Sequence, residues 1–74
     1  MSTNILKVLK KRRVEANISQ QTIAKALGIP QASYSRIETG KYQLTFNAFL
    51  IICDVIDAEP TKILKEMEIS EYHD

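Results

Sequence analysis

The chain has little of what metalloproteins, disulfide-rich secreted proteins and membrane proteins need. Its 74 residues include one cysteine, one histidine, two glycines, two prolines and no tryptophan. One histidine and one cysteine do not make a zinc site, which normally takes three or four protein ligands. The longest apolar run, residues 48–53, is far shorter than the ~20 residues of a membrane helix. We therefore expect one domain with no metal, no cofactor and no membrane span.

The sequence also lacks the groups that usually carry catalysis. It has no glycine-rich phosphate loop, and His73 lies beside the C-terminus, so no histidine of the folded part is expected to activate a hydroxyl. Cys53 lies in an apolar segment, where a buried thiol behaves as a small hydrophobe. The N-terminus has no long apolar stretch before a small-residue cleavage site. We expect a cytoplasmic protein that is not an enzyme.

What the chain does contain is a pair of short helical patterns between residues 19 and 41. Ser19 is suited to cap the first helix by accepting a hydrogen bond from a backbone N–H two or three residues on. Gly28 is suited to end that helix in the left-handed conformation. Between these residues the helical spacing predicts a buried stripe of Ile23, Ala24 and Leu27.

The second pattern follows after a short turn. Pro30 is expected in the first turn of this helix, where its missing N–H has no cost. Tyr34 and Ile37 form an inner face, and Gly40 ends the helix. A turn of about three residues is that of the DNA-binding helix-turn-helix. Because such a turn fixes the angle between the helices, the second helix is expected to project outward.

The outward face of the second helix predicts contacts with DNA bases. Glutamine and arginine make bidentate contacts with adenine and guanine in the major groove, which the N-terminal residues of such a helix enter. Gln20, at the start of the first helix, is predicted to hold a phosphate, because free N–H groups and the helix dipole favour an anion there. The predicted base contacts are Gln31, Ala32, Ser33, Ser35 and Arg36.

These residues resemble the helix-turn-helix of the phage repressor and Cro family, also called the xenobiotic-response-element family. Within the two helices the resemblance rests on Ser19-Gln20, Ile23-Ala24, Leu27-Gly28-Ile29 and the run at 34–41. Outside them it includes Ile5, Leu9, Arg13, Thr45, Phe46, Phe49, Leu50, Ile52, Cys53, Ile56 and Ile63-Leu64. It covers residues 4–65 and implies an all-α, five-helix repressor-like DNA-binding domain, in which helices 2 and 3 form the helix-turn-helix.

The resemblance also implies roles for single residues. In this family the arginine at the position of Arg13 commonly pairs with the glutamate at the position of Glu38, and a half-buried arginine needs such a carboxylate. The alternative for Arg13 is a phosphate contact. Lys41 and Gln43 lie in the loop that the resemblance places along the DNA backbone, which predicts phosphate contacts.

At Tyr34 many relatives carry Ile, Val or Leu. We expect its ring in the core and its hydroxyl at the rim, with a phosphate contact as the alternative.

Three further helices are expected around this pair. Helix one is predicted from Asn4 to Ala16 with Thr3 or Asn4 as its cap, and its apolar side is predicted to comprise Ile5, Leu6, Leu9 and Val14. Helix four is predicted from its cap Thr45 to Ile56, followed by a left-handed Asp57. Helix five is predicted to start at Glu59-Pro60. We place the DNA-binding domain at residues 1–67 and a short acidic tail at 68–74.

Charge is divided unevenly along a chain whose net charge is only +1. Residues 1–44 carry eight Lys or Arg against two acidic residues, and residues 45–74 carry two against seven. A basic half indicates a nucleic-acid surface.

Helix four is more apolar than one buried face requires, which predicts homodimer contacts through Ile51, Val55, Met67 and Ile69. The alternative is that these aliphatic side chains lie buried beneath the tail.

Together these features predict a transcriptional regulator that binds double-stranded DNA sequence-specifically. It would be a repressor or controller protein, acting as a homodimer on a palindromic operator. One alternative is the antitoxin of a toxin–antitoxin pair, which binds both DNA and a toxin protein. Another is an interaction domain that has lost its DNA activity, although the presence of Gln31, Arg36 and Lys41 together argues against it. The protein partners considered are a toxin and polymerase.

Overall fold

The computed structural model describes residues 2–73, with side chains over residues 5–67. Within the described chain there are five helices and no strand, which confirms the all-α prediction. The helices are α1 (Ser2–Glu15), α2 (Gln20–Leu27), α3 (Gln31–Glu38), α4 (Phe46–Val55) and α5 (Pro60–His73). α1 packs against α5, and α2 packs against both α3 and α4. The α2–α3 pair is thus joined to the rest of the domain mainly through α4.

α1 differs from its prediction at its start and on its exposed side. Thr3 and Asn4 lie inside the helix and not at its cap. Val14, predicted to be buried, is 54% exposed, and Val8 is buried in its place. Val14 follows Leu9 by five residues, about 140° around a helix of 3.6 residues per turn, which directs it to solvent. The side chain that continues the inner face one turn after Leu9 is Arg13.

Both ends of α2 form as the sequence predicts. Ser19 Oγ accepts a hydrogen bond from the Thr22 N–H at 3.1 Å. Gly28 ends the helix at φ 73°, a conformation that is unfavourable for residues with a Cβ. The turn to α3 comprises residues 28–30. Pro30 lies one position earlier than predicted, directly before α3, and its carbonyl accepts from the N–H groups of Ser33 and Tyr34.

The predicted boundaries of α4 and the start of α5 are confirmed to within one residue. Thr45 Oγ1 caps α4 by accepting from the Ala48 N–H at 3.1 Å, and Asp57 is left-handed with φ 55°. α5 begins at Pro60 and its backbone stays helical to His73. The domain boundary predicted at residue 67 therefore falls inside a helix. No helix within the described residues is long and apolar enough to cross a lipid bilayer.

Every helix contributes to a single core. Its most deeply buried large side chains are Leu9, Ile23, Tyr34, Ile52, Cys53 and Ile63. Cys53 is buried and free, as predicted, and burial raises the pKa of its thiol, which keeps it in the unreactive protonated form. Since protein interiors are close-packed, α3 cannot shift its position without repacking side chains of α1 and α2, the helices it contacts most.

Replacing Asp57 by glycine should raise the free energy of unfolding by about 0.5 kcal/mol, because left-handed backbone costs residues with a Cβ more than glycine loses in entropy. The change also removes a negative charge from the C-terminal end of α4, where the helix dipole disfavours it. Urea denaturation followed by circular dichroism measures the effect. Asp54→Gly is the matched control: it removes a carboxylate from the same region at a helical φ and should lower stability. A loss of stability in Asp57→Gly would contradict the assignment of strain.

Candidate nucleic-acid interface

α3 carries the predicted base contacts on its outer side. Gln31, Ala32 and Arg36 are exposed, whereas Ser33 and Ser35 are half-buried. The inner side of the same helix buries Tyr34 and Glu38. The two side chains with bidentate base chemistry are therefore both accessible to a ligand.

Glu38 attaches α3 to α1 through Arg13. Arg13 Nε donates to Glu38 Oε2 at 2.8 Å and Arg13 Nη2 donates to Oε1 at 3.1 Å, the bidentate arrangement that makes such pairs strong. Arg13 Nη1 also donates to the carbonyl of Ile18 at 2.7 Å. This is the ion pair that the resemblance implied. Because the Arg13 side chain is only 11% exposed and all three of its nitrogens donate within the protein, the structure favours this pair over a phosphate contact.

Two further side chains donate to the same carboxylate. Gln20 Nε2 donates to Glu38 Oε1 at 2.8 Å, and the Tyr34 hydroxyl donates to Oε2 at 3.0 Å. Burial by itself opposes ionisation of Glu38, but the hydrogen bonds from Arg13, Gln20 and Tyr34 outweigh it and hold the pKa of Glu38 below its usual value. Glu38 is therefore an anion at neutral pH, and each of its oxygens accepts two hydrogen bonds.

Tyr34 is a core residue, as expected, but the prediction that its hydroxyl reaches the rim is wrong. The residue is 1% exposed. Its hydroxyl turns inward because Glu38, one helical turn further on, provides an anionic acceptor. Burial and the neighbouring carboxylate raise the pKa of the Tyr34 hydroxyl, so it remains a donor. A phosphate contact is incompatible with this position.

The Glu38 carboxylate also sets the orientation of the exposed Gln31 side chain, through Gln20. A carboxylate only accepts hydrogen bonds, so Gln20 directs its Nε2 at Glu38 and its Oε1 away from it. Gln31 Nε2 lies 3.5 Å from that Oε1. This leaves Gln31 with its Oε1 and its second N–H for a ligand. One acceptor beside one donor is the pattern that pairs with the N6 and N7 edge of adenine.

Gln20 has two possible roles, of which the structure shows one. Its side chain is half-buried and joins Glu38 to Gln31. For a phosphate, Gln20 retains the second N–H of Nε2 and its backbone N–H in the first turn of α2, a position that has no acceptor within a helix. The phosphate contact stays a prediction.

The loop after α3 folds back onto the helix. The N–H groups of Lys41 and Tyr42 both donate to the Arg36 carbonyl, at 2.8 and 3.0 Å. Gly40 makes this reversal at φ 87°, where any residue with a Cβ is strained. The Arg36 guanidinium lies 5.7 Å from the centroid of the Tyr42 ring, within cation–π distance. The exposed side chains of Lys41 and Gln43 are thereby held near Arg36.

The contact between Tyr42 and Arg36 was missed in the sequence. The two residues are six positions apart and share no helix, so no periodicity relates them. The contact depends on the chain reversal at Gly40. An aromatic residue shortly after the glycine that ends a helix is the only signal that pointed to it.

The basic run at residues 10–13 does not act as one surface. Arg13 is part of the buried pair, and Arg12 Nε lies 3.3 Å from Glu66 Oε1, which links α1 to α5. Both partners of that second pair are more than a third exposed, so water and salt weaken it. Lys10 and Lys11 are exposed. Among the described residues, no group of three or more His, Cys, Asp or Glu is placed to hold a metal ion.

The predicted dimer contacts are less accessible than the sequence suggested. Ile51 and Met67 are half-buried, Val55 packs against the core, and the side chain of Ile69 lies outside the described residues. Larger apolar side chains are exposed elsewhere: Phe46 (72%), Tyr42 (49%), Leu64 (41%) and Leu50 (39%). The sequence did not identify Phe46 and Leu50 because nearly every residue of α4 is apolar, and the pattern then cannot show which side faces outward.

Removing the Tyr34 hydroxyl should weaken the fold in a pH-dependent way. Tyr34→Phe should lower the free energy of unfolding at neutral pH by about 1.5 kcal/mol, the lower end of the value for a hydrogen bond to a charged group. The lowered pKa of Glu38 contributes stability above its unfolded value near 4.5, and this contribution is lost as the pH falls through the folded pKa. The variant has a less depressed Glu38 pKa, so its stability should approach that of the wild type in acid.

Urea denaturation at a series of pH values measures this convergence. Arg13, Gln20, Tyr34 and Glu38 form the Glu38 cluster. Tyr42→Phe is the control, since it removes the same hydroxyl from a half-exposed ring outside this cluster. A Tyr34→Phe deficit that is constant from neutral to acid pH would show that the hydroxyl does not stabilise the ionised carboxylate.

Comparison with known proteins agrees with this geometry. A family model described as helix-turn-helix matches residues 9–63, which include α2, the turn, α3 and the core residues of α4. No curated protein shows a significant match to the chain. The matched region covers most of the 74 residues and includes the Glu38 cluster and the outer side of α3. The chain therefore belongs to the Cro/C1-type helix-turn-helix family and is a DNA-binding transcription regulator.

Proposed function

We propose that this regulator binds a palindromic operator as a homodimer and acts as a repressor. The observation that supports this most directly is that Gln31 and Arg36 are both accessible on the outer side of α3, while Glu38 on its inner side holds the helix in place through Arg13. A base-reading side chain must be presented in one orientation to discriminate between bases. Gln31 is oriented by donating to Gln20, which in turn donates to Glu38. Arg36 is oriented by its cation–π contact with Tyr42.

Dimerisation follows from the small size of the readout. A single recognition helix contacts only a few base pairs, which is too little to distinguish an operator from the rest of a genome. Pairing about a two-fold axis doubles the contacts and spaces the half-sites by about one helical turn, ~34 Å. The interface predicted from the sequence, Ile51, Val55, Met67 and Ile69, remains a prediction. Repression would follow from occupying a site that polymerase needs.

The structure gives less support to the two alternatives. In an antitoxin the acidic segment from Glu66 to Asp74 would be the part suited to bind a basic toxin, but Glu66 pairs with Arg12 of the same chain. A domain that had lost its DNA activity would have no need for the exposed set of Gln31, Arg36 and Lys41. Selection of bound duplexes from a random pool tests the proposal: a repeated, palindromic consensus is expected, and failure to enrich any sequence would contradict it.

Truncation of the base-reading side chains should reduce specificity. Gln31→Ala and Arg36→Ala should each cost about 1–3 kcal/mol on the selected operator and little on random duplex DNA. The reason is that a contact with a base edge is lost only where the correct base is present. Arg12→Ala is the matched control for Arg36, because it removes the same charge from α1 and should leave the ratio of specific to random binding unchanged. Equal losses on both DNAs would show that Gln31 and Arg36 contact only the backbone.

Truncation of the phosphate-binding lysine should weaken all binding alike. Lys41→Ala should reduce affinity for operator and random DNA by similar factors and lower the magnitude of the salt slope by about one unit. Fluorescence anisotropy titrations over a range of salt concentrations measure both quantities. Lys65→Ala, an exposed lysine on α5, is the control and should leave the slope unchanged. The same slope for Lys41→Ala and the wild type would place Lys41 away from the phosphates.

A further inference from the structure

An open apolar groove of about 660 Å³ lies beside the loop that follows α3. Its wall is formed by the start of α1, by residues 40–45, by the start of α4 and by α5, through Ile5, Leu6, Tyr42, Phe49 and Leu64. Phe46 also lines the groove, yet 72% of its surface is exposed, and its ring lies 6.3 Å from that of Phe49. Leu50 follows Phe46 by one helical turn and is also exposed. A projecting aromatic side chain and an apolar cavity therefore lie next to each other on one surface.

We propose that a second copy of this chain docks on this surface, with Phe46 of each copy inserted into the groove of the other. The inference deepens the proposed function, since it assumes a homodimer and assigns its interface. A two-fold contact uses the same patch on both copies, so that patch must contain both a projection and the cavity that receives it. The adjacency of Phe46 and the groove meets this condition.

The exposed area fits a second copy. Aromatic side chains present ~150–250 Å² each, so Phe46 and Tyr42 at their observed exposures offer roughly 240 Å² of apolar surface, to which the exposed parts of Leu50 and Leu64 add. A standard interface takes about 800 Å² from each partner, of which about 60% is apolar. These four side chains therefore supply most of the apolar part of a dimer contact.

The nearly uncharged lining of the groove also favours a second copy of the chain as its partner. Among the side chains that the structure describes, those of residues 5–67, Lys41 is the one charged residue that lines the groove, and it is also the predicted phosphate contact, so it belongs at the rim. An acidic or basic partner would gain little from such a lining. A second copy offers a matching neutral and apolar surface.

This interface is continuous with the DNA-binding surface. Residues 40–43 line the groove, and the same segment returns to α3 through the Arg36 carbonyl. Tyr42 takes part in both, because its ring lines the groove and supports the Arg36 guanidinium. A pair joined here brings both loops, and with them the C-terminal ends of both α3 helices, towards the contact between the copies. Assembly would thus also fix the aromatic surface on which Arg36 rests.

Self-association without DNA separates this proposal from DNA binding itself. Analytical ultracentrifugation of the wild type should show a monomer–dimer equilibrium at micromolar to sub-millimolar concentrations. Phe46→Gln should raise the dimer dissociation constant about tenfold or more, as for a residue central to an interface. Val14→Gln is the matched control: it also replaces an exposed apolar side chain, 54% exposed on α1 and outside the groove, and should leave the equilibrium unchanged. Circular dichroism checks that both variants stay folded.

Cross-linking between copies tests the predicted geometry directly. In a Cys53→Ser background, a protein with Leu50→Cys, which keeps Phe46, is mixed with one with Leu64→Cys and treated with a short bifunctional maleimide. A covalent dimer of the two different chains is expected, because insertion of Phe46 beside the partner's Leu64 brings Leu50, one helical turn after Phe46, close to it. Val14→Cys in place of Leu50→Cys should give none.

Three results would overturn the proposal. The first is a wild type that stays monomeric over this range. The second is an Ile51→Lys variant that dissociates while Phe46→Gln does not, which would favour the interface predicted from the sequence. The third is a cross-link no stronger than that of the Val14 control. A dimer that fails to bind any duplex would instead contradict the proposed function and leave this interface intact.

Discussion

The buried carboxylate of Glu38 is the group on which the rest of the domain depends. It accepts hydrogen bonds from α1 through Arg13, from α2 through Gln20 and from its own helix through Tyr34. An unpaired charge at this depth would cost several kcal/mol, so the carboxylate requires donors around it. Because these donors belong to α1 and α2, the buried anion fixes the position and rotation of α3 relative to those two helices.

The same group connects stability to recognition. A buried ion pair is often no more stabilising than apolar side chains of similar volume, so its retention here suggests a benefit in specificity. That benefit is visible in Gln20, whose amide is oriented by the carboxylate and in turn faces Gln31. An apolar replacement would restore the buried volume but would leave the amide of Gln20 free to rotate. Gln31 would then present donor and acceptor in either order.

Those parts of the fold that depend on local chemistry were predictable from the sequence. Ser19, Gly28, Thr45 and Asp57 specify helix ends through capping and left-handed backbone, and these act within a few residues. The position of Phe46 was not predictable, since α4 is apolar almost throughout and only the packing of α1 and α5 decides which side is left open. The partner of the Tyr34 hydroxyl was missed because the hydroxyl follows the strongest nearby acceptor, and the burial of Glu38 is a property of the assembled core.

Tyr42 shows how a residue outside every helix can join two functions. Its backbone N–H is fixed to the Arg36 carbonyl, its ring lies under the Arg36 guanidinium, and the other side of the loop lines the apolar groove. A cation–π contact at an exposed site contributes only about 0.5–1 kcal/mol, and it increases when water is excluded. A partner packed into the groove would remove water from one side of that ring. In that arrangement Arg36, the side chain proposed to read a base, would be best supported in the assembled pair, so affinity for DNA and self-association would reinforce each other through one aromatic ring.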